Sequence, residues 1–210
     1  IAVARDEAFC FYYEDNLRLL EEQGARLCYF SPLHDSHLPK DCDGILLGGG
    51  YPELHLKELE QNLSMKNEIR AAMEQGIPCV AECGGFMYLH ETIEDQEGQQ
   101  YRMAGVLPGI CTNKGKLVRF GYIELQGTKI RGHEFHYYDS SDNGEDCMAV
   151  KPVTGKSYPC VIETQNRFLG FPHLYYPSNP GFAENFVEKA RDFRNRNQNR
   201  NQYRNRDRKR

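Results

Sequence analysis

The first half of this sequence predicts an α/β domain in three layers, a mostly parallel sheet with helices on both faces. Short apolar runs alternate with helix-compatible stretches, and single glycines close several of these stretches. This alternation is typical of parallel sheets, because each parallel strand pair needs a crossover connection. A chain of 210 residues with 40% hydrophobic content can bury the core that such a fold requires.

The predicted elements of the first half follow from apolar runs and helical periodicity. Leu17, Leu19 and Leu20 lie on a helical pattern that Gly24 ends. The predicted strands are residues 1–5, 26–31, 44–47 and 77–81, and the predicted helices are residues 14–23, 53–62 and 65–75.

Short β-like runs dominate the second half, and we expect them to extend the sheet or to form an antiparallel flap. They lie at residues 116–125, 129–138, 147–150, 160–163 and 168–174. A closing helix is predicted at 180–193, with Pro180 in its first turn. The folded domain is therefore expected to span residues 1–193.

The remaining residues, 194–210, form a basic tail of low complexity. Seven Arg and one Lys stand against Asp207, a net charge of +7, so the rest of the chain carries −11 within the total of −4. Without an apolar period, the tail is expected to be disordered and solvated. A weak contact with nucleic acid or an acidic partner is the less favoured alternative.

The cysteine pattern favours a reduced, cytoplasmic protein. The eight cysteines are scattered without a CxxC pair, which argues against a disulfide framework and against a metal site. No signal peptide is visible, and no apolar run approaches the ~20 residues that cross a bilayer. Because the first residue is Ile1 rather than Met, we expect a fragment of a longer polypeptide.

The stretch "AECGGFMYL", residues 81–89, has the layout of a nucleophile elbow. Cys83 follows an apolar strand, precedes a helix-capable run and has the small neighbours Ala81 and Gly85, as a tight strand-to-helix turn requires. Helix N-terminal amides are expected to lower the thiol pKa from about 8.5, and the Gly84 amide would face an oxyanion. A simply packed thiol at a βα turn is the alternative.

A second glycine loop, in "ILLGGGYPE" at residues 45–53, also follows a strand. Both loops should lie at the carboxyl edge of the sheet, where such folds bind ligands. Gly49 or Gly50 can then supply a second oxyanion amide. A plain turn or a phosphate loop would need the same glycines, although no GxxxxGK[ST] motif is present.

Three of the seven histidines are candidate bases. His173 is predicted at the end of an apolar strand, just before the last helix. His133 and His136 occur in "GHEFHYY", where we place both on one strand face, opposite Glu134. Spacing does not choose between His173 and these two. The others are assigned surface or structural roles in a polar loop (His34, His37) or in predicted helices (His55, His90).

Four motifs, "GGGYPE", "AECGGFMYL", "RGHEFHYY" and "PHLYYPSNP", occur in an order and at separations that match a known family. Together with the opening "VARDEAFCFYYEDNL", they resemble the C-terminal glutaminase domain of cobyrinic acid a,c-diamide synthases, a class I (triad) glutamine amidotransferase family. The resemblance covers roughly residues 1–190. It implies the flavodoxin-like class I glutaminase fold.

The resemblance also implies a reaction. Cys83 would attack the side-chain amide of L-glutamine to form a thioester, and His173 would carry the proton to departing ammonia. The chain itself would hold no cofactor. An N-terminal synthetase domain, absent here, would use ATP and Mg²⁺ to activate the a and c carboxylates of a corrinoid, which the ammonia converts to amides.

Two positions depart from the family pattern. Ala81 stands where class I glutaminases usually have glycine, and Tyr175 stands where many have the glutamate that orients the histidine. Glu134 is our hypothesis for a replacement orienter. Glu53 and Glu82 flank the two loops, and either can contact the α-amino group of glutamine or lie on a solvated surface.

Three alternatives remain open at this point. The same domain occurs in sirohydrochlorin a,c-diamide synthases, and the glutaminase part does not separate the two tetrapyrroles. A free-standing cysteine hydrolase would use the same scaffold. The non-enzymatic hypothesis is a docking domain that has lost turnover. The missing acid favours this hypothesis, and the presence of both Cys83 and His173 argues against it.

Overall fold

The computed structural model describes residues 1–207, with side chains as far as residue 199. The helices are α1 (Glu14–Glu22), α2 (Leu56–Gln61), α3 (Leu63–Glu74), α4 (Gly84–Tyr88) and α5 (Pro180–Asp207). Two short 3₁₀ turns lie at Pro52–Leu54 and Tyr176–Ser178.

The strands are short throughout. In chain order they are β1 (Ala2–Ala4), β2 (Cys28–Phe30), β3 (Ile45–Leu47), β4 (Cys79–Glu82), β5 (His90–Glu94), β6 (Gln100–Arg102), β7 (Leu107–Asn113), β8 (Arg119–Leu125), β9 (Arg131–His136), β10 (Tyr138–Ser140), β11 (Cys147–Val150), β12 (Ser157–Cys160), β13 (Ile162–Glu163), β14 (Arg167–Gly170) and β15 (His173–Tyr175).

The main sheet has six strands in the order β13-β14-β4-β3-β1-β2, and only the edge strand β13 is antiparallel to its neighbour. β1, β3 and β4 are buried along their whole length, as expected for strands covered on both faces. The predicted parallel α/β architecture is therefore confirmed. The carboxyl ends of β3, β4 and β14 lie side by side, because Leu47 pairs with Ala81 and Glu82 with Gly170.

Two hydrophobic cores lie on opposite faces of this sheet. Val3, Leu46 and Val80 pack with α1 and α5 on one face. Ala81 and Leu47 pack with α3 and α4 on the other. Successive side chains of a strand point to opposite faces, so β1, β3 and β4 each contribute to both cores.

The second half forms two further sheets in place of a simple extension. One is antiparallel, in the order β12-β11-β8-β9-β15, and the other has the order β10-β7-β5-β6. The single strand predicted at 168–174 is divided between β14 in the main sheet and β15 in the antiparallel sheet. Phe171 and Pro172 separate the two strands, and proline has no amide for a strand ladder.

Two other predictions about elements differ from the structure. His90 begins β5 and does not lie in a helix. Helix α5 continues to Asp207, whereas the sequence predicted a disordered tail from residue 194. Arg and Gln are good helix formers, and no Gly or Pro interrupts the segment after Gly181. Residues 208–210, also assigned to the tail, lie outside the described part.

No helix among the described residues is long and apolar enough to cross a membrane.

We predict that Phe186→Ala destabilises the domain by about 3–5 kcal/mol. Phe186 is 4% exposed and its ring lies close to Gly44, so truncation leaves a cavity between α5 and the main sheet. Urea denaturation measures the loss. Glu188→Ala, on the exposed side of α5, is the control. A Phe186 variant as stable as this control would show that α5 adds little to the core.

Candidate active site

Cys83 occupies the single residue between β4 and α4. Its backbone lies at φ 47° and ψ −105°, a strained conformation for a residue with a side chain. Such outliers persist where the surrounding structure enforces them. Met87 N donates to Cys83 O, and Cys83 N donates to Gly170 O on β14, both at 2.9 Å. The elbow predicted from the sequence is therefore present.

Glycines are required beside Cys83 because strand, loop and helix nearly touch. A Cβ on Gly85 would lie 2.2 Å from the carbonyl oxygen of Leu47, and a Cβ on Gly84 would lie 2.8 Å from Pro52 Cδ. Ala81 faces the buried core, so the methyl group that departs from the usual glycine is accommodated.

Two backbone amides converge at this turn. The Gly84 amide favours the thiolate form of Cys83. The Gly50 nitrogen lies 3.2 Å from the position that a Cβ on Gly84 would take. Among residues 1–207, neither amide donates to a backbone carbonyl. Gly50 and Gly84 are thus the two donors available to an anion near the sulfur.

Gly49 has a different neighbour from Gly50. A Cβ at Gly49 would lie 2.2 Å from Cε1 of His173, so the imidazole ring rests directly on the bare backbone. Two glycines of the loop therefore contact different parts of the site. Gly50 lies beside the elbow, and Gly49 seats His173.

His173 begins β15 and is 5% exposed. Its ring stacks on His133 with centroids 4.9 Å apart, and Phe11 contacts it edge-on at 4.7 Å. Burial lowers the pKa of His173 to about 3, with smaller contributions from His133 and His136. The ring is therefore neutral at physiological pH and free to accept a proton.

The three candidate bases differ in their hydrogen bonds. His133 Nδ1 pairs with the Tyr13 hydroxyl at 2.8 Å. His136 Nδ1 donates to Tyr138 O at 2.7 Å, and its Nε2 lies 3.6 Å from Glu134 Oε1. His173 Nδ1 is buried and has no hydrogen-bond partner in the described part of the chain. His136 Nε2 also lacks a hydrogen-bond partner there, but of the three rings only that of His173 makes no hydrogen bond at either nitrogen within the described residues.

The prediction that His133 and His136 lie on one face of their strand, opposite Glu134, is wrong. Residues three apart on a strand lie on opposite faces. Consequently Glu134 and His136 share the buried face of β9, whereas His133 faces His173 across the strand pair. Glu134 accepts a hydrogen bond from Tyr158 and lies 3.9 Å from Arg119. It is not positioned to orient His173.

Two buried polar side chains hold the backbone that follows His173. Asn16 Nδ2 donates to Leu174 O at 2.7 Å, and Tyr176 N donates to Asn16 Oδ1 at 2.8 Å. Glu82 Oε1 accepts from Leu174 N at 3.4 Å and from the Tyr176 hydroxyl at 3.2 Å. Asn16 was not identified from the sequence, although a polar residue on the apolar face of α1 beside Leu17 and Leu20 was a visible clue.

Tyr175 replaces the acid that many class I glutaminases place two residues after the histidine. Its hydroxyl donates to Asp15 at 3.0 Å on the surface of α1. It makes no hydrogen bond to His173 among the described side chains. Asn16 and Glu82 therefore fix the strand of His173 through its backbone.

A pocket of about 640 Å³ opens at Cys83. Its walls come from the glycine loop, the elbow, β7 and the end of β9. The lining residues are Gly50, Tyr51, Glu53, Leu54, Cys83, Met87, Gln96, Asn113, Gly115, Phe135, His136, Tyr137 and Tyr138. His173 lies outside this lining, against Gly49.

The environment of Cys83 favours the neutral thiol, contrary to the prediction of a lowered pKa. Burial raises the pKa of Cys83 to about 12, and the charges of Glu53, Glu134 and Glu82 add to this effect. The Gly84 amide opposes it, because it favours the thiolate. Desolvation and three carboxylates outweigh the amides of a helix that is only five residues long.

The remaining histidines and cysteines lie away from this pocket. His34 and His37 are exposed and pair with surface glutamates, and His90 is buried between Phe86 O and Ser140 Oγ. Within the described residues, no group of three or more His, Cys, Asp or Glu side chains is arranged to hold a metal ion.

Comparisons with known proteins agree on one family. The family described as the CobB/CobQ-like glutamine amidotransferase domain matches residues 1–175. Curated proteins called cobyrinate a,c-diamide synthase are similar. Those of Dehalococcoides mccartyi strain CBDB1 and Salmonella typhimurium are 42% and 40% identical over 92% and 91% of this chain. The chain spans 45% and 44% of their lengths, less than half of each relative.

Solved structures support the fold. A crystal structure of a glutamine amidotransferase has a TM-score of 0.61 at 16% identity and covers 90% of this chain and 97% of its own. PurLQS from Thermotoga maritima gives a TM-score of 0.55 at 21% identity, with coverages of 90% and 95%.

We predict that Glu82→Gln changes how stability depends on pH. Burial raises the pKa of Glu82 from 4.5 to about 8, so the unfolded chain ionises this group before the folded chain does. The resulting stability is fully present below pH 4.5 and is lost as the pH rises through about 8. Glutamine does not titrate. The melting temperature of the variant minus that of the parent should therefore increase from pH 5 to pH 8.5.

Thermal denaturation followed by circular dichroism at several pH values gives this comparison. Glu21→Gln on the exposed face of α1 is the control. A constant difference between the Glu82 variant and the parent across this range would show that Glu82 ionises normally.

Proposed function

Because this chain belongs to the CobB/CobQ-like family of glutamine amidotransferase domains, we propose that it hydrolyses glutamine through a thioester on Cys83. The observation that carries the proposal is the elbow itself. A strained cysteine lies beside the amides of Gly50 and Gly84, neither of which donates to a backbone carbonyl among residues 1–207, at the mouth of a pocket large enough for an amino acid.

The proposed first half-reaction forms the thioester. The Cys83 sulfur attacks the side-chain amide carbon of glutamine while its proton passes to the neutral His173. The amides of Gly50 and Gly84 donate to the oxyanion, and one such donor is worth roughly 3–4 kcal/mol in a transition state. His173 then gives its proton to the amide nitrogen, and ammonia leaves.

The second half-reaction releases glutamate. Water attacks the thioester carbon, His173 accepts a proton from the water, and the thiol is restored as the sulfur departs. In both proton transfers His173 acts first as a base, and burial keeps the resting imidazole neutral, as that role requires. His173 is preferred over His133 and His136 because its ring makes no hydrogen bond within the described residues, whereas Nδ1 of each of the other two does.

We further propose that the ammonia serves amide formation on a corrinoid. The relatives are called cobyrinate a,c-diamide synthases, and more than half of their length lies outside the region matched here. The proposed partner is that remaining, N-terminal synthetase part, with ATP and Mg²⁺ bound there. We place the complete protein in the cytoplasm, where its cysteines stay reduced.

The first test is glutamate release from glutamine by this chain. We predict that Cys83→Ala and His173→Ala each lower the rate by at least ~10³-fold, since each removes a group that touches the reacting atoms. Cys10→Ala and His34→Ala, both exposed residues away from the pocket, are the matched controls.

If the parent protein releases no glutamate, the assay is repeated with the synthetase part of the Dehalococcoides mccartyi relative, ATP, Mg²⁺ and cobyrinate. Recovery that depends on Cys83 supports the proposal. Continued silence contradicts it and favours a docking domain without turnover. Amidation of sirohydrochlorin in place of cobyrinate would contradict the corrinoid assignment alone.

We predict that Asn16→Ala lowers kcat by about 10–100-fold while KM changes little. The variant removes the hydrogen bonds that hold Leu174, on the strand of His173, and Tyr176, directly after it. A shift of about 1 Å at a catalytic group can cost ~10²-fold. Steady-state kinetics separate the two constants, with Glu21→Ala as the control on α1. Equal losses in kcat for both variants, or a change confined to KM, would contradict this role for Asn16.

A further inference from the structure

Glu53 is an unpaired carboxylate in the same pocket as Cys83. It lies in the 3₁₀ turn directly after the glycine loop and lines the cavity. Within the described residues, its side chain makes no ion pair and no hydrogen bond to another residue. Burial raises the pKa of Glu53, as expected when a carboxylate loses water without gaining a partner.

The other acidic side chains near the elbow already have partners. Glu134 accepts a hydrogen bond from Tyr158 and lies near Arg119 and His136. Glu82 accepts from Tyr176 and from the amide of Leu174, and it does not line the pocket. Of the two glutamates that flank the loops, only Glu53 is therefore available to a ligand.

The composition of the pocket fits the polar end of an amino acid. Among the described lining residues there is no Lys or Arg to neutralise Glu53, and the neutral amides of Gln96 and Asn113 provide hydrogen-bond donors for a carboxylate. A half-buried charge without a partner is costly. A ligand with an ammonium group removes that cost.

We propose that Glu53 binds the α-ammonium group of the amino-acid substrate and thereby makes Cys83 reactive only in the loaded pocket. The proposal rests on the proposed function for the identity of the substrate as glutamine. An ion pair between the ammonium and Glu53 would make Glu53 a specificity-determining residue. It would favour amide substrates that carry an α-amino group over small amides that lack one.

The second part of the proposal follows from charge. After burial, Glu53 is the group that most strongly raises the pKa of Cys83, ahead of Glu134 and Glu82. His136 and Tyr138 also line the pocket, and the Gly84 amide favours the thiolate. An ammonium group on Glu53 cancels the negative charge that opposes ionisation, so substrate binding and thiol activation are linked.

The first experiment compares glutamine with 5-amino-5-oxopentanoate, which lacks only the α-amino group. A hydrogen bond to a charged group is worth about 1.5–3 kcal/mol, so the parent should prefer glutamine by about 10–100-fold in kcat/KM. In Glu53→Gln the preference should fall to about threefold or less. Glu58→Gln, on the exposed side of α2, should keep the parental preference.

The second experiment measures alkylation of Cys83 by iodoacetamide without substrate, with the exposed Cys10 as the internal reference in peptide mass spectrometry. Glu53→Gln should alkylate Cys83 faster than the parent at pH 8, because one opposing charge is gone, although it turns over glutamine more slowly. A variant that merely unfolds would expose all its cysteines together, including the buried Cys79 and Cys111.

An unchanged preference for glutamine in Glu53→Gln would overturn the binding role, and unchanged or slower alkylation would overturn the link to Cys83. If the parent hydrolyses neither amide even with the synthetase part added, the proposed function fails, and protection of Cys83 from iodoacetamide replaces turnover as the readout. Protection by glutamine alone, abolished in Glu53→Gln, supports the subsite. Equal protection by both compounds, or none, overturns it.

Discussion

The close approach of helix α4 to the end of β3 is the constraint on which the site depends. The Gly85 amide donates to Gly48 O at 2.9 Å, and a Cβ on Gly85 would lie 2.2 Å from Leu47 O. Because helix and strand nearly touch, the chain reverses within one residue, and Cys83 takes a positive φ. The same approach brings the amides of Gly84 and Gly50 together beside the sulfur. Backbone packing alone thus places the two amides of the proposed oxyanion site, without any charged side chain.

Burial keeps the main groups of the site uncharged. It is the first cause both of the raised pKa of Cys83 and of the lowered pKa of His173. A thiol and a neutral imidazole can exchange one proton without creating net charge, which limits the cost of reaction in a poorly solvated site. On the proposed function, a positive charge on His173 and a negative charge on the oxyanion appear together, and the preorganised amides stabilise the oxyanion.

The position of His173 depends on a junction between two sheets. Cys83 follows a strand of the main sheet, whereas His173 belongs to the antiparallel sheet through its pairing with His133. Asn16 from α1 and Glu82 from β4 bind the backbone of β15 directly. These contacts anchor the strand of His173 to helix α1 and to the main sheet through its backbone. Tyr175 is then free to interact with the surface residue Asp15.

The sequence alone determined the parallel α/β core, the elbow at Cys83, the glycine loop and the family, because these features follow from local rules of periodicity, small residues and motif order. The tertiary structure alone decided which histidine is unengaged, that Glu134 faces Tyr158, and that Glu53 lines the pocket while Glu82 does not. It also revealed Asn16, whose partner Leu174 is 158 residues away, and it reversed the expected pKa shift of Cys83. Burial and electrostatic neighbours arise from segments far apart in the chain, so no local pattern encodes them.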